Sequence, residues 1–294
     1  MTERGRISDH PRDPWHAAGA RLRAAPHLAA VAAALAVVLL AAVVTALAAP
    51  GPAHRVTAGT DDAKPPAQPT RGQGPGRTTA TARPTATPAR VPVVPDSIQH
   101  AAETPGKAVN ITIDDGPDPV WTPRVLAVLR RHHVHATFCM IGPQALANPA
   151  VVHQVVAQGN RLCDHTVHHD EHMDRKPPAY QRSEILGGLA MIEQASGGAR
   201  VYYYRAPGGA FTPSSRALAA QHGMRPLGWN VDTKDYTRPG VTAIVNTVKY
   251  EIGNGPTILF HDGGGDRSQT VAALDRTLTW LHQRGYAFSF PKVD

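Results

Sequence analysis

Two adjacent carboxylates, Asp114 and Asp115, precede Gly116 and Pro117. Neighbouring carboxylates repel, and they are costly to hold together unless a cation or a proton separates their roles. Downstream, His165-Thr166-Val167-His168-His169 concentrates imidazoles in a short stretch. If this stretch is helical, His165 and His169 share a face at i, i+4, and His165 and His168 also suit a cation at i, i+3. His172 is a further candidate ligand. Arg205 opens Arg205-Ala206-Pro207-Gly208-Gly209. Its guanidinium can pair with a carboxylate of the first motif, and the bare Gly backbone offers N–H groups to an oxyanion. Asp232 and Asp235 stand in Trp229-Asn230-Val231-Asp232-Thr233-Lys234-Asp235-Tyr236, and Leu259-Phe260-His261-Asp262 brings an apolar run to a His. A His there suits general acid or base work, with a carboxylate at hand to orient it. Each motif also has a plain structural reading: a turn, a loop with a surface Arg, a His that caps a strand. Their joint meaning depends on the elements that carry them.

Those elements alternate. The pattern predicts strands over Val109–Ile113, Ala136–Ile141, Arg161–Asp164, Val201–Tyr204, Arg225–Asn230, Thr257–Phe260 and Ala287–Phe290. Helices are expected between them, over Pro123–His133, Pro149–Gln158, Tyr180–Ala195, Pro213–His222, Val241–Ile252 and Thr270–Arg284. Seven strands with intervening helices mean parallel βα units, in an open sheet or a closed or nearly closed barrel. In such folds the working residues lie just past the C-terminal ends of strands. The five motifs fall there in order, which chance does not readily arrange.

Residues 107–294 therefore resemble the polysaccharide deacetylase catalytic domain, the NodB-type homology domain of carbohydrate esterase family 4. Thr112-Ile113-Asp114-Asp115-Gly116-Pro117 matches T/S-F-D-D-G-P, and His165-Thr166-Val167-His168-His169 matches H-S/T-x-x-H. Arg205-Ala206-Pro207-Gly208-Gly209 matches R-x-P-Y-G, Asp232-Thr233-Lys234-Asp235-Tyr236 matches D-x-x-D-W, and Leu259-Phe260-His261 matches L-x-H. The resemblance implies an α/β fold of the distorted (β/α)7 barrel type. It also implies a metal-dependent hydrolase that removes N-acetyl groups from acetamido sugars of a cell-envelope or extracellular polysaccharide, peptidoglycan or chitin-like. By the same resemblance Asp114 is the catalytic base, and Asp115, His165 and His169 bind the metal, which sets His168 aside. Arg205 orients the base, Gly208 supplies the oxyanion N–H, Asp235 tunes His261, and His261 protonates the leaving amine. Tyr236 and Leu259 are expected against the substrate. Zinc is the default ion, with cobalt, nickel or manganese as alternatives. A divalent ion held by three protein ligands keeps positions open for water and the acetyl oxygen. Three positions depart from the family pattern: Ile113 for Phe, Gly208 for Tyr and Tyr236 for Trp. None removes a catalytic atom, but the last two alter the walls of the cleft.

Upstream of the domain, Leu28 to Ala49 is apolar except for Thr45, with Arg12, Arg21 and Arg23 before it. As a helix it measures roughly 33 Å, enough for a bilayer core of about 30 Å. Expected are a cytoplasmic tail over 1–27, a membrane signal-anchor over 28–49 and a disordered Pro/Thr/Ala-rich linker over 50–105. These would hold a monomeric catalytic domain, 106–294, outside the cytoplasm. Cleavage after Ala46-Leu47-Ala48 is the rival, giving a secreted protein. An exported location permits a disulfide between Cys139 and Cys163, near the ends of successive strands. The net charge of +7 and pI of about 9.7 come without a basic block or basic–aromatic interleaving, so nucleic acid is not an expected partner. His132, His133 and His135 read as solvated or structural, and Gly263–Ser268 as a flexible rim loop. Three rivals remain: an O-acetyl esterase on acetylated xylan, a non-haem iron oxygenase with its two-His-one-carboxylate triad, and an inactive anchored glycan-binding module.

Overall fold

The computed structural model describes residues 92–294. The expected cytoplasmic tail, the membrane anchor and all but the end of the linker lie outside the described residues. Among the described residues no helix is long and apolar enough to cross a membrane.

Strand β1 (Ala108–Asp114) is central and buried along its whole length. Its sequence alternates, and successive side chains of a strand point to opposite faces. Val109, Ile111 and Ile113 enter the apolar core with Leu126, Leu129, Leu274 and Leu278. Asn110, Thr112 and Asp114 face the other way, where buried polar groups gather. The strand thus builds the core with one face and the floor of the site with the other. The chain continues through α1 (Trp121–Arg131), β2 (Thr137–Met140), α2 (Gly142–Ala147), α3 (Pro149–Ala157), β3 (Arg161–Asp164) and α4 (Pro178–Ser196). It then runs through β4 (Val201–Tyr204), α5 (Pro213–Gln221), β5 (Arg225–Pro226), β6 (Val231–Asp232), α6 (Val241–Glu251), β7 (Thr257–His261), α7 (Ser268–Gln283) and β8 (Ala287–Phe288).

The sheet order is β5-β4-β3-β2-β1-β7-β6, with every pairing parallel, and β8 pairs with the first residues of β1. Read cyclically this is chain order, with an unbonded seam between β5 and β6. The sheet is a curled, half-barrel layer with helices around it. Helix starts follow local chemistry. At α5, Thr212 and Ser215 form a capping box that spans Pro213, and α4 ends on Gly197 in the left-handed region.

Two expectations change. The strand expected over Arg225–Asn230 is cut to Arg225–Pro226, and pairing resumes at Val231 as the separate strand β6. Pro226 has no N–H to extend the ladder. Beyond it, the carbonyls of Leu227 and Gly228 accept from the Arg205 side chain instead. The linker expected to be disordered as far as residue 105 is ordered over 92–105. Gln99 N–H donates to Pro226 O, Gly228 N–H to Gln99 O, and Glu103 N–H to Phe290 O. Backbone bonds to the sheet margin hold a segment whose side chains carry little apolar area. The Arg161–Glu103 ion pair at 2.5 Å adds to them.

Cys139 and Cys163 are register partners on β2 and β3, and their sulfurs are bonded, with Cα atoms 4.2 Å apart.

Candidate active site

The C-terminal ends of the strands bring Asp114, Asp115, His165, His169, Gly208 and His261 into one cleft of about 320 Å³, with Arg205 and Asp235 behind its wall. Asp114 ends β1 and His261 ends β7, directly opposite one another in register. Asp115 follows β1 with φ at 75°, a conformation uncommon for a non-glycine residue, and Gly116 comes next. A Cβ at Gly116 would collide with the Asp262 carboxylate, so this approach of the β1 and β7 loops requires glycine. His165 follows β3 and Arg205 follows β4. Asp235 begins the short turn after β6.

Asp115, His165 and His169 each offer one ligand atom, all within 4.8 Å of one another. His165 Nδ1 donates to the Arg205 carbonyl at 2.7 Å, which leaves the Nε2 lone pair for the cluster. His165 Nε2 lies 3.6 Å and His169 Nε2 3.1 Å from Asp115 Oδ1. That oxygen is buried without a hydrogen-bond partner among the described residues. One carboxylate oxygen and two imidazole nitrogens converging on one point fit a divalent cation of the zinc type. Burial would raise the Asp115 carboxyl, but the imidazoles of His169, His165 and His261 outweigh it and hold it low. Burial lowers His165 despite Asp114 and Asp115, so it favours the neutral, ligating imidazole.

The other half of the cleft carries a carboxylate, Asp114, and an imidazole, His261, each held from behind by a buried partner. Arg205 is completely buried. It donates from Nη1 to Asp114 Oδ1 at 2.6 Å and to Thr112 Oγ1 at 2.9 Å. Its Nη2 reaches Gly228 O at 2.9 Å and its Nε reaches Leu227 O at 3.2 Å. His261 Nδ1 donates to Asp235 Oδ1 at 2.7 Å, which turns Nε2 to the cleft. Asp235 also accepts from His261 N–H, Thr233 Oγ1 and Thr270 Oγ1. Burial pushes His261 down, but its hydrogen bond to Asp235 and the charges of Asp235, Asp115 and Asp114 lift it to about 9. Burial pushes Asp235 up, yet the same hydrogen bond and the His261 charge hold it below the usual carboxylate range.

Gly208 lines the cleft at φ 57°, and its N–H donates to no group among the described residues. The Tyr236 ring meets the His261 ring edge-on with centroids 5.1 Å apart, and Leu259 forms part of the wall. Trp229, Asp232, Ala206 and Glu171 complete the lining.

Three sequence expectations need correction. The segment 165–169 is an irregular loop, not a helix, with Thr166 and His169 at positive φ. The turn of this loop brings the His165 and His169 rings together, with centroids 4.9 Å apart, while His168 turns away to Glu184. The carboxylate adjacent in sequence, Asp262, does not orient His261. It is buried, accepts from Thr122 Oγ1 at 2.5 Å, and is pushed up to about 7 chiefly by burial. The rim loop 263–268 is pinned by the buried Arg267, which donates to the carbonyls of Gly263, Gly264 and Tyr236.

A profile described as "Polysaccharide deacetylase" matches residues 101–227. A peptidoglycan-N-acetylglucosamine deacetylase of Bacillus cereus is 38% identical over 184 residues, covering 62% of this chain and 85% of the relative. The chain belongs to the polysaccharide deacetylase family. It is an enzyme, a hydrolase of carbon–nitrogen bonds outside peptides. A chitooligosaccharide deacetylase of Sinorhizobium fredii is 37% identical over 193 residues, covering 62% of this deacetylase and 89% of the relative. A CE4 family pseudoenzyme from Bacillus anthracis has a similar structure, with TM-score 0.57 and 28% identity over 62% of this chain and 63% of that one. The fold alone therefore does not make a catalyst, and the reading of this chain rests on the side chains in its cleft.

Proposed function

We propose that this deacetylase is metal-dependent and removes N-acetyl groups from acetamido sugars of a cell-envelope or extracellular glycan, peptidoglycan or chitin-like. The observation that carries the reading is the joint presence, in one cleft, of the Asp115–His165–His169 cluster and two backed acid–base groups, Asp114–Arg205 and His261–Asp235. The B. cereus and S. fredii relatives, whose names specify peptidoglycan N-acetylglucosamine and chitooligosaccharides, support the substrate class. A divalent ion held by Asp115, His165 and His169 would polarise the acetyl carbonyl and ease deprotonation of a water.

The chain's own groups do the rest. Asp114, held by Arg205, takes a proton from the attacking water as its oxygen bonds to the acetyl carbon. The Gly208 N–H donates to the oxygen that gains charge. His261, protonated at Nε2, gives its proton to the nitrogen as the C–N bond breaks, and acetate and a free amine leave. An amine is a poor leaving group unless protonated, so the acid matters more here than in ester cleavage. Tyr236 and Leu259 bound the space beside the acetyl group. An extracytoplasmic site of action agrees with the apolar 28–49 segment and with the Cys139–Cys163 bridge.

Acetate release should be seen with chitin oligomers or peptidoglycan and should stop when a chelator strips the protein. Release confined to acetylated xylan would replace this reading with an O-acetyl esterase. Turnover that needs oxygen and yields no acetate would replace it with an oxygenase.

The role of His261 carries a pH signature. A group with a raised pKa stays protonated up to that value, so activity should fall as pH climbs through about 9. Asp235→Asn removes the upward pull while burial remains, so the alkaline limb of kcat/KM should move to lower pH. A limb that does not move would show that His261 is not the acid.

A further inference from the structure

The loop carrying both imidazole ligands has a strained backbone. Thr166 at φ 70° and His169 at φ 52° lie in the left-handed region, which costs roughly 1–2 kcal/mol per non-glycine residue. Hydrogen bonds made by the loop's own residues support that shape in part, and Glu184 of α4 adds to them from outside the loop. Its side chain is almost wholly buried, and one oxygen, Oε2, accepts from the N–H groups of His168 at 2.8 Å and Val167 at 3.2 Å. The other, Oε1, meets His168 Nδ1 at 2.7 Å. One turn further along the same helix face, Gly188 lets the loop sit down. A Cβ there would collide with the Asp164 carboxylate and lie 3.1 Å from the Thr166 backbone. Asp164 Oδ1 takes the Thr166 N–H and Thr166 Oγ1 takes the His169 N–H, which completes the set.

We infer that Glu184 is a positioning residue for the metal site. By satisfying two successive amides between His165 and His169, it sets the angle at which the two imidazoles face Asp115. His168, the imidazole of the motif that does not face the cluster, is the clasp: its exposed ring folds over the buried carboxylate. Groups that orient ligands from behind commonly contribute 10–100-fold to metal affinity.

The inference rests on the metal reading above, and its test measures binding of zinc, not turnover. Wild-type protein, Glu184→Ala and Glu184→Gln are stripped with chelator and titrated with zinc by calorimetry, with a thermal melt and amide exchange at Val167 and His168 alongside. Glutamine has the same shape. Its carbonyl oxygen can accept both amides, and its NH2 can donate to His168 Nδ1 in the tautomer that leaves that nitrogen a lone pair. Glu184→Ala should weaken zinc binding by about 10–100-fold and speed exchange at both amides, whereas Glu184→Gln should stay within about threefold of wild type. Equal affinity in Glu184→Ala and wild type, even with a lower melting temperature, would overturn the inference and leave the metal reading standing. Loss in Glu184→Gln as large as in Glu184→Ala would overturn it too, because charge and not acceptor geometry would then be at work. A wild-type protein that binds no zinc would overturn both readings.

Discussion

Replacing Asp114 with Asn is expected to lower kcat for acetate release by about 10²–10⁴-fold, the range that a positioned general base contributes. Asn has nearly the shape of Asp, and its oxygen can still accept from Arg205 Nη1, now 2.6 Å from Asp114 Oδ1. What disappears is the capacity to take a proton from water. Asp114 is not one of the three cluster ligands, although its Oδ2 lies 3.6 Å from His165 Nε2. Zinc affinity should therefore fall far less than turnover, which collapses. Steady-state kinetics with an acetate readout, beside a binding titration, tests both halves. A variant that keeps near-normal kcat would remove Asp114 from the chemistry.

Arg205→Met is expected to have the largest effect on stability, about 3–5 kcal/mol, the usual result of breaking a buried ion pair from one side. Arg205 is fully buried and its guanidinium serves four acceptors: Asp114, Thr112 and the carbonyls of Leu227 and Gly228. Met fills much of the volume but donates nothing, so the Asp114 carboxylate loses its counter-charge and two inward carbonyls lose their donor. The carbonyls belong to the stretch where the sheet breaks between β5 and β6, so that margin should loosen first. Urea unfolding in the presence of chelator measures the loss, and hydrogen exchange locates it. A loss under about 1 kcal/mol would mean that the guanidinium is no keystone. Activity should fall as well, because Asp114 would no longer be held towards the cleft.

Much of this architecture can be read from the amino acids, for physical reasons that differ by element. Strands β1, β3, β4 and β7 are buried and bounded by turn formers, so short β-rich runs mark them to within a residue or so. The strand-end placement of Asp114, Asp115, His165, Arg205 and His261 follows directly from those runs. What escaped depends on contacts made at a distance. Helix α2 is six residues long and begins with Gly142-Pro143, too short to show a helical period. Residues 92–105 are fixed by backbone bonds and a few polar side-chain contacts to distant parts of the chain, which leave no apolar pattern in the sequence. The His165 loop satisfies Glu184 on a helix further along the chain, so local spacing suggested a helix where the backbone turns left-handed. Asp235 serves His261 from 26 residues away, and only the resemblance to a known family could pair them. The carboxylate adjacent in sequence, Asp262, is committed by the fold to Thr122.

The central claim is that Asp115, His165 and His169 together hold one divalent cation without which the acetyl group is not cleaved. Chelator-stripped protein should be titrated with zinc while bound metal and acetate release from N-acetylglucosamine oligomers are followed in the same sample, for wild type and Asp115→Ala. The account predicts that wild-type activity returns in step with binding and saturates at one ion per chain, while Asp115→Ala neither binds at that concentration nor recovers. Stripped protein that releases acetate as fast as untreated protein, or Asp115→Ala that recovers fully at one ion per chain, would contradict it.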